Sequence, residues 1–282
     1  MDELLQVKST VIEADLEKEY TFLQISDMHM SYLDEFSTDL DREEHNHFYE
    51  QWTPLKREFA QTAGEMCDER YDTEPCEIFE KITDYALEIK ANALLLSGDI
   101  LDRITDSNIR YITRFIDNYK IPFVYCPGNH AWISENGTRL NQYDRIKSFI
   151  KNPECDSFDF GEFEIVTIDN GTKNITDLQI EFLKKKLSGD KRIILLLHAP
   201  IYLGEAGEEL KNKLSPYFLV GVEGDCENAF EFNRIVKEND EKIIAVLAGH
   251  IHAFYEGNVT DKLKQYTASS GLIGACRKIT VK

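Results

Sequence analysis

Ala93-Leu-Leu-Leu-Ser-Gly-Asp-Ile-Leu-Asp102 sets a pattern that several other segments of this chain repeat. Its apolar run is short, uninterrupted and followed by Gly98, which is typical of a buried β-strand. Asp99 comes directly after the strand, and a buried carboxylate is costly unless a positive group lies beside it. We therefore expect Asp99 either at an exposed strand end or against a cation. Taken alone, Ser-Gly-Asp is equally compatible with a simple turn.

The composition predicts one α/β domain over residues 1–282. The chain has 282 residues, of which 42% are hydrophobic, so it can bury one large core. It has 51 acidic and 32 basic residues, and its net charge of -19 repels nucleic-acid backbones. We find no Lys/Arg cluster that would form a track for nucleic acid. A protein of this charge that handles phosphates needs local positive charge, which metal ions can supply.

The cysteines and the apolar runs predict a cytoplasmic protein without a membrane anchor. Six cysteines are scattered along the chain with no Cys-x-x-Cys pair, which favours free thiols in a reducing cytosol over a disulfide framework. The first residues lack a basic region followed by an apolar one, and no apolar run approaches membrane-spanning length.

Four further apolar strands are also followed by side chains that can bind metals. The strands are predicted at Tyr20–Ile25, Ile121–Cys126, Arg192–Leu197 and Ile243–Ala248. The residues that follow them are Asp27 and His29, Asn129 and His130, His198, and His250 and His252. Asp27 and His29 are two residues apart and would point the same way in an extended segment. Together with Asp99, these positions hold five of the seven histidines.

Amphipathic helices predicted at Glu77–Ile89 and Ser107–Tyr119 separate the first three of these strands. The order strand, helix, strand favours parallel pairing with right-handed crossovers. The polar loops would then open at one edge of the sheet, where sites of α/β proteins lie. A hairpin is predicted at 157–168, and antiparallel strands at 253–259, 263–268 and 279–281 are expected to close the domain.

Two insertions, at about 31–75 and 204–225, are expected to wall the substrate site. The first is acidic and then aromatic, and it predicts one or two helices over Phe48–Met66, broken near Pro54. Its Phe48, Tyr49 and Trp52 could stack on a base or pack on an apolar group. His45 and His47 also lie here, and their neighbours favour a solvated helix face over a metal site. The second insertion, rich in Gly and Glu, is expected to be irregular.

The residue types at the strand ends predict the metal chemistry. Imidazole and carboxylate ligands without thiolates suit Mn, Fe or Zn. There are enough ligands for two ions with one shared carboxylate. A pair of ions roughly 3.5–4 Å apart suits the hydrolysis of phosphate esters by in-line attack.

Five blocks in this order resemble the signature blocks of the calcineurin-like metallophosphoesterases, over residues 20 to 253. The blocks are Asp27-x-His29, Gly98-Asp99-x-x-Asp102, Gly128-Asn129-His130, His198 and Gly249-His250-x-His252. The resemblance implies a four-layer α/β/β/α sandwich with mixed sheets and a dinuclear metal centre at the strand ends. It further implies that phosphate esters are cleaved by attack of a metal-bridging hydroxide.

The resemblance also implies a role for each site residue. One metal would be bound by Asp27, His29, Asp99 and His252, and the other by Asp99, Asn129, His198 and His250. Asp99 would bridge the two ions. His130 would contact the phosphate and protonate the leaving oxygen, Asp102 would orient His130, and Arg103 would bind the phosphate.

Two positions depart from the family pattern. Ala131 stands where the family often has an acidic residue after Gly-Asn-His, which removes a possible partner of His130. Ile104 stands where the protein-phosphatase branch has Gly, which weakens a placement in that branch. Arg103 is then equally compatible with a surface salt bridge.

The sequence therefore predicts an enzyme that acts on a small soluble phosphomonoester or phosphodiester, such as a nucleotide or cyclic nucleotide. Two alternatives stay open. One is a serine/threonine-type protein phosphatase, and the other is a non-catalytic metal-bound scaffold whose insertions bind a partner.

Overall fold

A computed structural model describes residues 4–62, 73–133 and 142–282. Two mixed β-sheets form its centre. The first has the strand order β1-β11-β2-β3-β4 and the second the order β5-β6-β7-β8-β10-β9. The strands are β1 (Gln6–Ile12), β2 (Tyr20–Ile25), β3 (Ala93–Ser97), β4 (Phe123–Cys126), β5 (Cys155–Asp159), β6 (Phe163–Ile168), β7 (Arg192–Leu196), β8 (Ile243–Ala248), β9 (Tyr255–Asn258), β10 (Lys264–Thr267) and β11 (Ala275–Val281).

Seven α-helices accompany these sheets in the described part of the chain. They are α1 (Asp39–Thr62), α2 (Pro75–Glu88), α3 (Asp106–Asn118), α4 (Tyr143–Ile146), α5 (Asp177–Leu187), α6 (Gly204–Lys213) and α7 (Glu227–Glu238). Short 3-10 turns lie at Asn129–Trp132, Pro216–Phe218 and Gly271–Ile273. None of the helices in these ranges has the length and apolar character needed to cross a lipid bilayer.

Strand β3 shows why its sequence is an unbroken apolar run. Its side chains alternate between the two faces of the first sheet, and every one of them is buried. Leu94 and Leu96 pack with residues of α2 and α3 in one core. Leu95 belongs to a second core, which lies between the sheets and includes Ile194 of β7. A third core packs α5 and α7 on the outer face of the second sheet. These cores separate the layers of the expected α/β/β/α sandwich, so the predicted fold class is confirmed.

The parallel pairs place the strand ends together. β2 pairs with β3 and β3 with β4, all parallel, and β6, β7 and β8 are parallel neighbours in the second sheet. The predicted hairpin is also present, since β5 and β6 are antiparallel. The antiparallel pairing expected for the C-terminal strands is present between β9 and β10 and between β11 and β2. It does not extend to all their pairs, since β10 is parallel to β8 and β11, in the first sheet, is parallel to β1.

Helix α1 begins earlier than predicted and is not broken at Pro54. Thr38 and Asp41 cap its start reciprocally, with the Thr38 amide donating to Asp41 Oδ2 (2.7 Å) and the Asp41 amide donating to Thr38 Oγ1 (3.1 Å). Pro54 lies on the exposed face of the helix, where water can solvate the carbonyl that lacks a donor. The last part of the predicted helix, up to Met66, lies outside the described residues.

The second insertion contains a helix and is therefore less irregular than predicted. α6 spans Gly204–Lys213, and its Ala206 and Leu210, four residues apart, are both buried. The Gly- and Glu-rich composition obscured this short apolar stripe. Five cysteines in the described ranges carry free thiols, and Cys67 falls outside those ranges.

Candidate metal centre

The seven predicted metal ligands converge at the carboxyl ends of five strands from both sheets. Asp27 and His29 follow β2, Asp99 follows β3, Asn129 follows β4, His198 follows β7, and His250 and His252 follow β8. Five of them adopt positive φ angles, namely Asp27 (52°), His29 (44°), Asp99 (51°), His250 (67°) and His252 (50°). Such angles are strained for residues with side chains and cluster at functional sites. The backbone at Asp27 and His29 is therefore not extended, although their ligand atoms do lie in one group.

Two overlapping groups of ligand atoms result. In the first, one ligand atom each from Asp27, Asp99, His198 and His250 lies within 4.8 Å of the others. Asn129 adjoins this group, because its Oδ1 lies 3.0 Å from His198 Nε2. In the second group, Asp27, His29 and His252 meet the same limit.

The two buried aspartates are oriented in the same manner. The amide of His250 donates to Asp27 Oδ2 (2.8 Å), and the amide of His130 donates to Asp99 Oδ1 (2.9 Å). The remaining oxygens face imidazoles, with Asp27 Oδ1 3.3 Å from His252 Nε2 and Asp99 Oδ2 3.1 Å from His198 Nε2. Each carboxylate therefore has one oxygen held by the backbone and one directed at the cluster.

The donor atoms fit metal ions. Asp27 Oδ1 is buried and has no hydrogen bond within the described residues. Nε2 of His29 and Nε2 of His252 lie 3.3 Å apart, so two ring nitrogens converge on one point. Burial opposes the ionisation of Asp99, yet the neighbouring histidines, first among them His198, hold its pKa well below the usual range. A cluster of ionised carboxylates and imidazole nitrogens in a buried site is the donor set of Mn, Fe or Zn.

Glycines next to the ligands allow this close approach. A Cβ atom at Gly128 would overlap the carboxylate of Asp99, and one at Gly249 would overlap Ser26 Oγ. The glycine that precedes Asn129 and the one that precedes His250 are therefore required by packing around the aspartates.

His130, Asp102 and Arg103 form a cluster that adjoins the predicted ligands through His29, since one ligand atom each from His29, Asp102 and His130 also lies within 4.8 Å of the others. His130 Nδ1 lies 2.8 Å from the Asp102 carbonyl oxygen and 3.2 Å from Asp102 Oδ1. Burial lowers the pKa of His130, but the charge of Asp99 and the hydrogen bonds to Asp102 outweigh it and raise the pKa to about 9. Burial would raise the pKa of Asp102, while hydrogen bonds from His130 and His29 hold it well below the usual range. The two side chains therefore shift each other's pKa in opposite directions, and each favours the charged form of the other.

Arg103 is a buried residue, so the alternative of a surface salt bridge is wrong. Its exposed fraction is 7%, and its Nη1 lies 3.4 Å from Asp102 Oδ2 and 3.1 Å from His130 Nδ1. Its Nε lies 3.5 Å from Glu44 Oε2 of helix α1. The first insertion therefore reaches the site, and it contributes a carboxylate to it.

Two aromatic residues of α1 are buried. Trp52 is buried and its ring stacks on His29, with 3.9 Å between the ring centroids. Phe48 is also buried and packs with Leu272. Both rings also line a cavity with Tyr49, so a role of these aromatic residues in stacking on a base stays a prediction. His45 accepts or donates a hydrogen bond at Ser31 Oγ (3.1 Å), and His47 is exposed on the same helix.

Asn170 is a site residue that the sequence reasoning missed. It is fully buried, and its Oδ1 accepts hydrogen bonds from the amides of His198 (3.0 Å) and Ala199 (2.9 Å). Its Nδ2 donates to the Ala199 carbonyl (2.7 Å). The signal was present, because Asp169-Asn170-Gly171 follows β6 in the same way that polar residues follow the other strands.

We expect Asn170→Ala to destabilise the fold by about 2–4 kcal/mol, because buried amides and a carbonyl of the His198 loop would lose their partner. Urea unfolding measures this loss. Asn174→Ala is the matched control, since Asn174 is exposed and should cost under about 0.5 kcal/mol. Equal midpoints for the two variants would contradict the structural role of Asn170.

Comparison with known proteins gives a family and two structural likenesses. A family model described as calcineurin-like phosphoesterase matches residues 20–254. A dimetal phosphatase from Danio rerio has 12% identity and a TM-score of 0.56, with 91% of each chain covered. A purple acid phosphatase from yellow lupin (Lupinus luteus) seeds has 14% identity and a TM-score of 0.52, over 92% of this chain and 45% of the lupin chain. At these identities the likeness concerns the fold. No curated protein matches the chain.

Proposed function

The chain belongs to the calcineurin-like phosphoesterase family and is a metal-dependent phosphoric ester hydrolase, and on this premise we propose how its residues act and on what. Asp27, His29 and His252 would hold one ion, and Asn129, His198 and His250 the other. Asp99 would be shared between them. The observation that best supports a metal centre is the convergence of four donor atoms, from Asp27, Asp99, His198 and His250, within 4.8 Å of one another. Asp27 belongs to the second group as well, so the division of ligands between the ions is proposed from the family resemblance.

Metal ions bound at these residues would supply Lewis acidity towards the phosphate and would activate the attacking water. The chain's own residues would carry out the remaining steps. His130 would contact the phosphate and give its proton to the leaving oxygen, a task that suits an imidazole held in its protonated form. Asp102 keeps Nδ1 of His130 engaged at 3.2 Å. Arg103, next to His130, would bind a phosphate oxygen.

We propose that the substrate is a small phosphate ester, such as a nucleotide or cyclic nucleotide. Helix α1 supports this, because its Glu44 contacts Arg103 and its Trp52 covers His29, which narrows the approach to the site. The net charge of -19 also opposes the approach of an extended polyanion.

A substrate panel tests this proposal. With Mn²⁺ present, we expect nucleotides, cyclic nucleotides or sugar phosphates to exceed a phosphopeptide and single-stranded DNA by roughly tenfold or more in kcat/KM. A preference for the phosphopeptide would instead favour a protein phosphatase, and a preference for DNA would overturn the argument from charge. Absence of turnover on every substrate, with metals bound, would favour the scaffold alternative.

A further inference from the structure

Trp52 connects helix α1 to two residues of the metal centre. Its exposed fraction is 5%, and its indole Nε1 donates to Asp102 Oδ1 at 2.7 Å. The face of the same indole lies on the imidazole of His29, with 3.9 Å between centroids and 25° between the ring planes. One side chain therefore contacts both a predicted metal ligand and the predicted partner of His130.

The carboxylate of Asp102 contacts Trp52, His29 and His130. Its exposed fraction is 1%, and its Oδ1 lies 3.5 Å from His29 Nδ1 and 3.2 Å from His130 Nδ1. The bond from Trp52 is shorter than either of these contacts. Since a single oxygen faces both imidazoles, a small rotation of the carboxylate would weaken its contact with one of them.

We propose that Trp52 is a positioning residue that fixes Asp102 and His29 from outside the strand-end loops, and so governs metal retention and turnover together. The part that concerns turnover rests on the proposed function of His130. The part that concerns metals does not, because a ligand imidazole held by an outer partner binds its ion more tightly whatever reaction follows.

Burial of an apolar ring does not by itself account for this arrangement. Phe48 and Leu272 pack with Trp52, and a Phe or Leu side chain at position 52 would satisfy such packing. The indole N–H adds a hydrogen bond to a buried carboxylate, and bonds to charged groups are stronger than neutral ones. The flat indole face also restrains the ring of His29, which a branched aliphatic side chain cannot do.

Two variants separate the N–H from the ring face. Trp52→Phe keeps an aromatic face for His29 and removes the donor to Asp102. We expect it to retain its metals and to lose roughly tenfold in kcat on an alkyl phosphate ester, with less loss on a nitrophenyl ester and little change in KM. Trp52→Leu removes both contacts, and we expect it to bind Mn²⁺ or Zn²⁺ about 10–100-fold more weakly in competition with a chelator.

Tyr49→Phe is the control on the same helix. It removes the bond from the Tyr49 hydroxyl to Glu74, which anchors α1 without touching the metal centre. We expect it to leave metal affinity and the dependence on leaving group unchanged. The proposal is overturned if folded Trp52→Leu binds metal like the unsubstituted chain, or if all three variants weaken metal binding equally. Metal competition needs no substrate, so a chain that binds metals but hydrolyses nothing would refute the proposed function and leave this test intact.

Discussion

The Asp99→Asn variant is expected to lose activity on the order of 10³-fold, because one electrostatic contact at a reacting centre contributes about 10²–10³-fold and here both ions would be affected. Asp99 is buried, with one oxygen held by the His130 amide and the other 3.1 Å from His198 Nε2. An amide in its place has no charge and one acceptor oxygen, so two neighbouring cations would repel each other across it. Metal analysis of the purified variant should show fewer than two ions per chain.

Asp27→Asn is the matched comparison, and it tests which aspartate is shared. Asp27 belongs to both groups of ligand atoms, whereas Asp99 belongs to the first. If Asp99 is the bridge, Asp99→Asn should weaken both ions and Asp27→Asn mainly one. The reverse result would assign the bridge to Asp27. Two tightly held ions in Asp99→Asn would refute the proposed role of Asp99 altogether.

The convergence of the proposed ligand residues could be predicted from sequence because the pattern that identifies each strand end is local. An apolar run followed by Gly or Ser and then a polar side chain identifies a buried strand and its carboxyl end, as at Ser97-Gly98-Asp99. Parallel strands bring such ends to one edge of each sheet. The packing of the two sheets then brings the edges together, so Asp99 after β3 of the first sheet and His198 after β7 of the second have 3.1 Å between their ligand atoms. The left-handed backbone at Asp99 was not predictable, since a non-glycine residue adopts it only under the constraint of its surroundings.

The contacts that the sequence did not reveal depend on long-range packing. Trp52 is 50 positions from Asp102, and nothing in α1 itself indicates which face turns to the metal centre. The chain passes from β10 in the second sheet to β11 in the first, where β11 lies between β1 and β2. The local pattern of the β11 residues suits an edge strand equally well. The Gly- and Glu-rich composition of the second insertion likewise did not indicate helix α6. In each case, the neighbouring elements decide what the local pattern leaves open.

His130 is the residue for which loss of activity without loss of metal is expected. It is not among the proposed ligands, and its Nδ1 is engaged by the carbonyl and carboxylate oxygens of Asp102. We expect His130→Asn to keep both ions and to slow turnover by about 10²–10⁴-fold, the range for a lost general acid. The asparagine can still donate to Asp102, so this buried carboxylate should keep a partner.

The leaving group distinguishes a general acid from a residue that only binds phosphate. A nitrophenolate departs without a proton, whereas an alkoxide requires one, so the His130→Asn penalty should be much larger for an alkyl phosphate ester than for a nitrophenyl ester. His47→Asn, at an exposed position of α1, is the control and should behave like the unsubstituted chain. Equal penalties for the two esters would show that His130 binds the phosphate but does not protonate the leaving oxygen. Loss of metal in His130→Asn would instead show that this imidazole belongs among the ligands, next to His29, whose ring centroid lies 4.5 Å away.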